Sequence, residues 1–380
     1  MGGETARDRR VAVTGMGAVT AFGADVPALR QGAWSGESAI EPVALFDVSR
    51  FVAKTGAEIR VVPTDPAGET RGRTERLALA AAAEAMGPLA ALGPHAGVAV
   101  GTTLAGLEAR VSPGALAALL ARRHGARGPV ATVSAACASG TAAIGLAAAW
   151  IREGRAVRVL AGGADALSPF VFSGFDALRA LSPTAARPFD AERDGLTLGE
   201  GAAFLLLEDE DEALRRGARV LARVTGYGSA ADAFHMTRPD PAGSGLARAA
   251  AAALGDAGRT AADVGFVSAH GTGTVFNDAM EEAALAHVLG PRAGSVPVHG
   301  LKGAIGHTLG AAGALEAVLC VLVLGAEDVP PTAGHRAARP GSPLFVVSGA
   351  PHRPTRRVDV ALSTSAAFSG TDAALVMERA

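Results

Sequence analysis

The sequence predicts an α/β fold built around a mainly parallel sheet. Short β-branched runs alternate with alanine-rich runs of helical length along nearly the whole chain, which is typical of this class. Hydrophobic residues make up 49% of the 380 positions but aromatic residues only 4%, so aliphatic side chains must fill the core. A chain of this length is sufficient for one large domain or two ordinary ones.

The first half of the chain gives the elements their clearest boundaries. Each expected strand is a short aliphatic run, and each expected helix is a longer alanine-rich run bounded by Gly, Pro or polar residues. Strands are expected at 11–14, 97–100, 130–133, 157–161 and 202–207, with helices at 75–86, 114–123 and 138–152.

The alternation resumes after a charged helix expected at 209–216. Strands are expected at 220–225, 264–268, 296–298, 345–347, 358–362 and 374–377, with helices at 245–257, 278–289 and 309–324. Because the two halves have similar content, we expect a structural duplication, with one half at residues 1–210 and the other at residues 211–380.

Charge and composition exclude several functional classes. The 35 basic and 37 acidic residues are spread along the chain, so no global field favours nucleic acid as a partner. Two cysteines cannot form a disulfide framework, which favours a reducing, cytoplasmic location. The most apolar stretch, 311–326, carries Glu316 and falls short of the roughly 20 residues that a membrane span needs. We therefore expect a buried helix there and no membrane span.

The first candidate for chemistry is Cys137, which lies between an expected strand and an expected helix. At a helix amino terminus, unpaired N–H groups and the helix dipole favour thiolate over thiol. The surrounding Ala and Gly residues would let a substrate carbonyl approach the sulfur, as at an activated nucleophile. Taken alone, the segment fits a small buried cysteine equally well.

A second candidate site surrounds His270, at the expected end of a strand. Residues there face the crevice where open α/β sheets bind ligands. A Gly/Thr turn and an acidic helix follow, and Asp278 and Glu281 lie about one helical turn apart, placed to orient neighbouring groups or to solvate the helix start. A lone histidine is also commonly a satisfied structural residue.

Two further segments complete the set of candidates. Lys302 is one of only two lysines in an arginine-rich chain, which indicates a need for a compact ammonium, and His307 follows in the same glycine-rich loop before a helix. There the helix dipole disfavours a charged imidazole. Phe368, isolated in a loop of small residues, fits a gate with a backbone oxyanion donor, although a simple hairpin fits as well. The spacing of the other histidines predicts no metal site.

In this order, the segments resemble the β-ketoacyl-acyl-carrier-protein synthases of the thiolase-like superfamily, most closely the discrete, type II synthases. The resemblance is carried by TVSAACASGTAAIGLAAAWI, GFDALRALSP, RPFDAERDGLTLGEGAAFLLLE, DAFHMTRP, AHGTGT and LKGAIGHTLGAAG. It implies a thiolase fold of two duplicated αβαβα halves in five layers. It also implies a homodimer, or a heterodimer with a second ketosynthase-like subunit.

The resemblance further implies a decarboxylative condensation between an acyl thioester and a malonyl thioester. Neither a metal nor a resident cofactor is expected, because the phosphopantetheine arm arrives on an acyl carrier protein. The implied roles are Cys137 as acylated nucleophile, His270 and His307 as its partners, Lys302 as a support near His307, Phe368 as oxyanion donor and gate, Glu281 and Asp278 as supporting residues, and Thr272 and Thr274 as pantetheine-binding residues.

Carrier proteins of this kind are acidic, so a local basic patch should receive them. The candidates are Arg179 and the cluster Arg71, Arg73 and Arg76, although these arginines would also fit an ordinary solvated surface.

The chain departs from the family pattern in two places. Only 35 residues separate Gly101 from Cys137, fewer than in typical relatives, in a stretch that helps to form the dimer contact and the acyl-pocket wall. Around Phe368, Ala367 and Ser369 replace glycines and Asp372 replaces an asparagine, which predicts a stiffer gate. Two alternatives therefore stay open: an acyltransferase or non-elongating synthase, and a non-catalytic partner that sets chain length.

Overall fold

The computed structural model describes residues 9–64, 71–103 and 112–380. The strands are β1 (Val11–Val19), β2 (Glu41–Pro42), β3 (Thr55–Gly56), β4 (Ala96–Gly101), β5 (Val130–Val133), β6 (Arg158–Asp165), β7 (Gly201–Asp209), β8 (Ala222–Ala231), β9 (Phe266–Ala269), β10 (Pro297–Gly300), β11 (Phe345–Val346), β12 (Val360–Ala366) and β13 (Thr371–Arg379). The helices are α1 (Val26–Ser35), α2 (Arg73–Met86), α3 (Pro113–His124), α4 (Ser139–Arg152), α5 (Pro169–Ala177), α6 (Glu210–Arg215), α7 (Ser244–Asp256), α8 (Val275–Leu289), α9 (Lys302–Ile305) and α10 (Ala312–Gly325).

The order of strands in the main sheet reveals the duplication. The order is β11-β10-β9-β12-β13-β8-β1-β7-β6-β4-β5, and β1 meets β8 at the centre. Without β11 and the separate β2–β3 pair, each half of the sheet has five strands. If these five are numbered in chain order, both halves have the spatial order 1-5-4-2-3 from the centre of the sheet outwards. The first two pairings of each half are antiparallel and the next two are parallel.

Helices cover both outer faces and fill the space between the halves. On one side α2 packs on β1, β6 and β7, and α3 packs on β4 and β5. On the other side α7 packs on β8, β12 and β13, while α8 contributes Leu285 and Leu289 to the same core. Between them, α4 and α10 contact each other and strands of both halves. The predicted fold class, two duplicated αβαβα halves in five layers, is confirmed; the division at residues 210 and 211 stays a prediction.

Most predicted elements are found near their predicted bounds. Strand β1 extends beyond the predicted 11–14 to Val19 because its glycines admit a helix: a Cβ on Gly15 would overlap the carbonyl oxygen of Ala85 in α2. Sequence reasoning missed α1 and α5, and the aromatic and β-branched residues of α5 resemble those of a strand. Within the described part of the chain, no helix is both long and apolar enough to cross a bilayer.

The candidate residues meet at one edge of the sheet. Cys137 lies between β5 and α4, His270 follows β9, and Lys302 and His307 follow β10. Because β5, β9 and β10 are parallel members of their half-sheets, their carboxyl ends open on a shared crevice.

Candidate active site

A cavity of about 670 Å³ has Cys137, His270 and His307 among its lining residues. The Cys137 sulfur and one nitrogen of each imidazole lie within 4.8 Å of one another. The two imidazole rings are nearly perpendicular, with centroids 5.3 Å apart. His270 is 133 residues after Cys137, and His307 is a further 37 residues along the chain. The fold therefore brings together three groups that are distant in the sequence.

Cys137 lies on a tight elbow at the start of α4. The preceding residue, Ala136, has a φ of 47°, in the left-handed region that costs a side-chain-bearing residue roughly 1–2 kcal/mol. Ser139 fixes the elbow: its hydroxyl accepts from the N–H of Ala135 at 2.9 Å and donates to the carbonyl of Ala136 at 2.6 Å. The strand, elbow and helix arrangement expected from the sequence is present.

The protonation state expected for Cys137 is wrong for the resting protein. Burial raises the pKa of the thiol to about 11 and outweighs the opposing effects of Lys302 and of the Phe368 N–H, which donates to the sulfur. Asp165 and Glu316 also raise this pKa. A helix start favours thiolate only when the desolvation of the sulfur costs less than the dipole contributes.

His270 is held so that one ring nitrogen must carry the proton. Its backbone N–H donates to Glu281 at 2.7 Å, and the ammonium of Lys302 lies 3.2 Å from its Nδ1. An ammonium can only donate, so Nδ1 accepts and the hydrogen of the neutral ring lies on Nε2. Burial, followed by the charge of Lys302, lowers the pKa of His270 well below its ordinary value.

His307 has the same tautomer for a different reason. The backbone N–H of Leu309 donates to its Nδ1 at 3.1 Å, which leaves the hydrogen on Nε2. Burial, then Lys302, lowers the pKa of this imidazole well below the ordinary value. Two neutral imidazoles with Nε2–H donors therefore lie beside the Cys137 sulfur.

Lys302 hydrogen-bonds to His270 and acts on His307 through its charge, which refines the expectation of a support near His307. Its buried ammonium donates to the carbonyl of His270 at 2.5 Å and forms a short ion pair with Glu316. Sequence reasoning missed Glu316, although a carboxylate within the apolar helix α10 was an available signal. Burial raises the pKa of Glu316 to about 7, against the opposing charge of Lys302.

Two of the acidic residues of α8 hold the turn that follows His270. Glu281 accepts from the N–H of Gly271 at 2.8 Å and from the hydroxyl of Thr364 at 2.7 Å. Asp278 accepts from the N–H of Thr272 at 3.1 Å and from that of Phe189 at 2.7 Å. Burial raises the pKa of both carboxyls, to about 7 for Glu281.

Thr272 and Thr274 line the cavity, as pantetheine-binding residues would. Their hydroxyls lie 2.9 Å apart, and the Thr274 hydroxyl also accepts from the N–H of Asn277 to begin α8. Neither role requires a ligand, so pantetheine binding stays a prediction.

Phe368 covers the sulfur from a short turn between β12 and β13. Its ring stacks on Phe175 with centroids 5.6 Å apart, and its N–H faces the Cys137 sulfur. The next residue, Ser369, has a φ of 70°, and its N–H donates to the carbonyl of Met236 at 2.7 Å. A serine has fewer accessible backbone conformations than a glycine, so Ser369 should restrict the motion of the Phe368 turn. This agrees with the stiffer gate that we predict.

The predicted docking arginines do not form one group. Arg179 is exposed and lines the cavity. Arg73 is turned inward, where it donates to the fully buried Glu200 at 2.7 Å and to the carbonyl of Ile59 at 2.6 Å. Its guanidinium compensates a buried carboxylate, and its docking role stays a prediction. Arg71 and Arg76 are half-buried at the start of α2.

Two predictions lie beyond what the described residues test. Part of the short stretch between Gly101 and Cys137, residues 104–111, lies outside them, so its effect on the acyl pocket stays open. The sulfur and two imidazoles are close enough to share a metal ion, so the metal-free site also stays a prediction.

Comparison with known proteins agrees with this geometry. Residues 8–213 match the family model "Beta-ketoacyl synthase, N-terminal domain", and residues 221–336 match the corresponding C-terminal domain. The ketoacyl synthase alpha subunit of the tetracenomycin polyketide synthase from Streptomyces glaucescens is 36% identical over 98% of this chain and 97% of its own.

Solved structures extend the likeness to three dimensions. The ishigamide ketosynthase/chain length factor has a TM-score of 0.91 and 34% identity over 98% of this chain and 99% of its own. A type II polyketide ketosynthase, solved with its acyl-carrier protein and bound to the hexaketide, has a TM-score of 0.89 and 31% identity over the same shares. The resemblance seen in the motifs is confirmed, and the chain belongs to the β-ketoacyl synthase family of acyltransferases.

Proposed function

We propose that the protein joins an acyl thioester to a malonyl thioester with loss of carbon dioxide, and that Cys137 carries the acyl group. The observation that carries the proposal is the matched tautomers of His270 and His307. Both rings have Nδ1 occupied by a donor, so each neutral ring carries its hydrogen on Nε2, and each ring has a nitrogen within 4.8 Å of the sulfur. A neutral imidazole can donate a hydrogen bond to a developing enolate, and it carries no positive charge that would have to be buried in the site.

In the first step, the Cys137 sulfur attacks the thioester carbonyl of the acyl donor. The new C–S bond forms as the donor's C–S bond breaks, and the thiol proton leaves with the departing pantetheine thiol. The backbone N–H groups of Cys137 and Phe368 receive the tetrahedral oxyanion.

In the second step, the malonyl thioester carbonyl accepts hydrogen bonds from His270 and His307. The bond to the carboxylate breaks, carbon dioxide leaves, and its electron pair forms the enolate. The enolate carbon attacks the acyl carbonyl on Cys137, giving a β-ketoacyl thioester and a thiolate that takes a proton from solvent. A pKa of about 11 for the thiol favours that return of the proton.

The substrates reach this site on an acyl carrier protein. Exposed cationic and apolar side chains meet at the cavity mouth, where Arg179 and Arg238 lie near exposed Phe234 and Phe276. Arg238 lies over the Phe276 ring at 4.9 Å from its centroid. This mixture suits an acidic carrier whose phosphopantetheine arm passes Thr272 and Thr274, so the chain needs no resident cofactor. A related ketosynthase has been solved with its carrier protein, which supports the proposal.

We further propose a cytoplasmic dimer, with a second ketosynthase-like subunit as its partner. The edge strand β5 leaves Val130 43% exposed, which suits pairing with another sheet. Similar structures include a ketosynthase in complex with its chain length factor. In this chain Cys137 and both imidazoles meet in one cavity, which favours the catalytic subunit over the non-catalytic partner.

Intact mass spectrometry after incubation with acyl carrier thioesters tests the nucleophile. Wild type and Cys320→Ala should each gain one acyl mass, whereas Cys137→Ala should gain none. Adding malonyl carrier protein to the acylated enzyme should then release carbon dioxide in a one-to-one ratio with acyl transfer. Acyl transfer without carbon dioxide would establish the acyltransferase alternative, and product formation by Cys137→Ala within the native assembly would establish the partner alternative.

A further inference from the structure

Asp372 is a buried acid next to the Phe368 turn. It pairs in register with Ala366 of β12 and Ala230 of β8, so it lies one residue inside β13. Its side chain is only 4% exposed but lines the catalytic cavity.

A second carboxyl, Asp232, faces the same small volume. Its backbone N–H donates to the carbonyl of Gly370 at 2.8 Å, at the end of the Phe368 turn. A Cβ on Gly245, at the start of α7, would overlap the Asp372 carboxyl and lie 2.9 Å from the Cβ of Asp232. A Cβ on Gly370 would overlap the Asp232 carboxyl. Both acids are thus packed around Gly245, and Asp232 is also packed against the turn.

The hydrogen bonds assign different protonation states to the two acids. Asp232 accepts from the N–H of Phe234 at 3.1 Å and from that of Asp240 at 3.0 Å, as an ionised carboxylate does. Among the described residues, Asp372 has no hydrogen-bond donor to its carboxyl. A buried carboxylate without a donor is costly, whereas a protonated acid can itself donate to a neighbouring carboxylate.

The surrounding charges act in the same direction. Asp232 after β8, Asp240 in the following loop and Glu281 on α8 all disfavour a negative charge on Asp372, whereas Arg248 on α7 favours it. The Arg248 guanidinium donates to the carbonyl of Ala231 at 2.8 Å. Burial, followed by Asp232, raises the pKa of Asp372 to about 7.

We propose that Asp372 is a positioning residue: as a protonated acid it donates to Asp232 and holds the Phe368 turn over Cys137, and loss of its proton loosens the turn. When both acids are ionised, their charges repel across the volume beside Gly245 and Gly370. The Phe368 N–H then no longer stays on the sulfur. The predicted effect on acylation rests on the proposed function, whereas the motion of the Phe368 turn itself needs no substrate.

Hydrogen–deuterium exchange of peptides covering residues 366–372 tests the motion directly. After correction for the intrinsic pH dependence of exchange, wild-type protection should fall about tenfold between pH 6 and pH 8. Asp372→Asn, which keeps a neutral donor at every pH, should show a constant protection. Asp232→Asn should also keep protection nearly constant, because an ionised Asp372 then faces a neutral amide and not a second charge. Asp211→Asn, which changes an exposed acid on α6, is the matched control.

The proposal is overturned if wild type and Asp372→Asn lose protection equally, or if neither loses any. An activity measurement separates this result from a failure of the proposed function. Above pH 7 the acylation rate of Asp372→Asn, divided by that of wild type, should rise several-fold, and it should approach one below pH 6. If no acylation occurs while the exchange results hold, the turn is pH-dependent and the proposed function fails independently.

Discussion

At the scale of single residues, the site depends on two neutral imidazoles, His270 and His307, whose protonation is influenced by the buried ammonium of Lys302. Lys302 is buried together with Glu316, so its ammonium is compensated without contacting solvent. The same ammonium fixes the tautomer of His270 and disfavours a charge on His307. A buried pair of this kind adds little net stability, but breaking it leaves an uncompensated charge.

Replacing Glu316 should therefore impair condensation more than acylation. In Glu316→Gln, the Lys302 ammonium loses its counter-charge and its anchor, so it no longer holds Nδ1 of His270 as an acceptor. We expect the carbon dioxide release rate to fall by up to about 100-fold, as outer-shell substitutions do elsewhere. Acylation of Cys137, which does not use the imidazole donors in our mechanism, should change much less. Equal losses in both steps would contradict this role, and Glu327→Gln, at an exposed pair with Arg353, is the control.

The buried thiol of Cys137 sets a second expectation. Since burial raises its pKa to about 11, the thiolate fraction should increase about tenfold for each pH unit between 7 and 9. The rate of alkylation by iodoacetamide, followed by mass, should increase in parallel and reach no plateau below pH 10. The measurement is made on Asp372→Asn so that the Phe368 turn stays constant. A plateau near pH 7 would mean that the helix dipole and the neighbouring N–H groups outweigh burial.

At the scale of elements, the sequence predicted those features that depend on residues close together in the chain. The run from β5 through Cys137 into α4 was predictable because aliphatic residues, small residues and alanines follow one another in the sequence. The helix α5 was missed because tertiary packing overrides the strand propensity of its Phe and Val residues. The partner of Arg73 was not predictable, because Glu200 is 127 residues away and only the packing of the region before β7 brings it near. Glu316 lies 14 residues from Lys302, and its place in an apolar helix was a signal, but the sequence alone did not show that α10 turns it towards the ammonium.

At the scale of the whole molecule, the two halves depend on each other. The central helices α4 and α10 pack against one another and against both half-sheets, so each half would expose a large apolar face alone. The nucleophile comes from the first half and both histidines from the second. The chain therefore needs both halves for stability and for chemistry.

Cutting the chain between the halves tests this dependence and the predicted division of the chain. Gly217 lies in the connection between α6 and β8, and a Cβ added there would meet nothing within 4 Å. A protease site inserted after Gly217 and cleaved in the folded protein should leave the halves together on gel filtration, with acylation unchanged. Residues 1–217 expressed alone should aggregate. Separation of the cleaved halves would contradict the prediction, and the uncleaved insertion variant is the control.

The shared strand order also relates the sulfur to a histidine. In each half, the third strand leads into the central helix, α4 after β5 and α10 after β10, and each approach contains a non-glycine residue at positive φ, Ala136 or Leu309. Cys137 directly follows Ala136, whereas His307 lies two residues before Leu309, so the two side chains flank corresponding elbows without occupying the same position in them. The repeated topology brings the two elbows together, and with them the nucleophile of one half and a hydrogen-bond donor of the other.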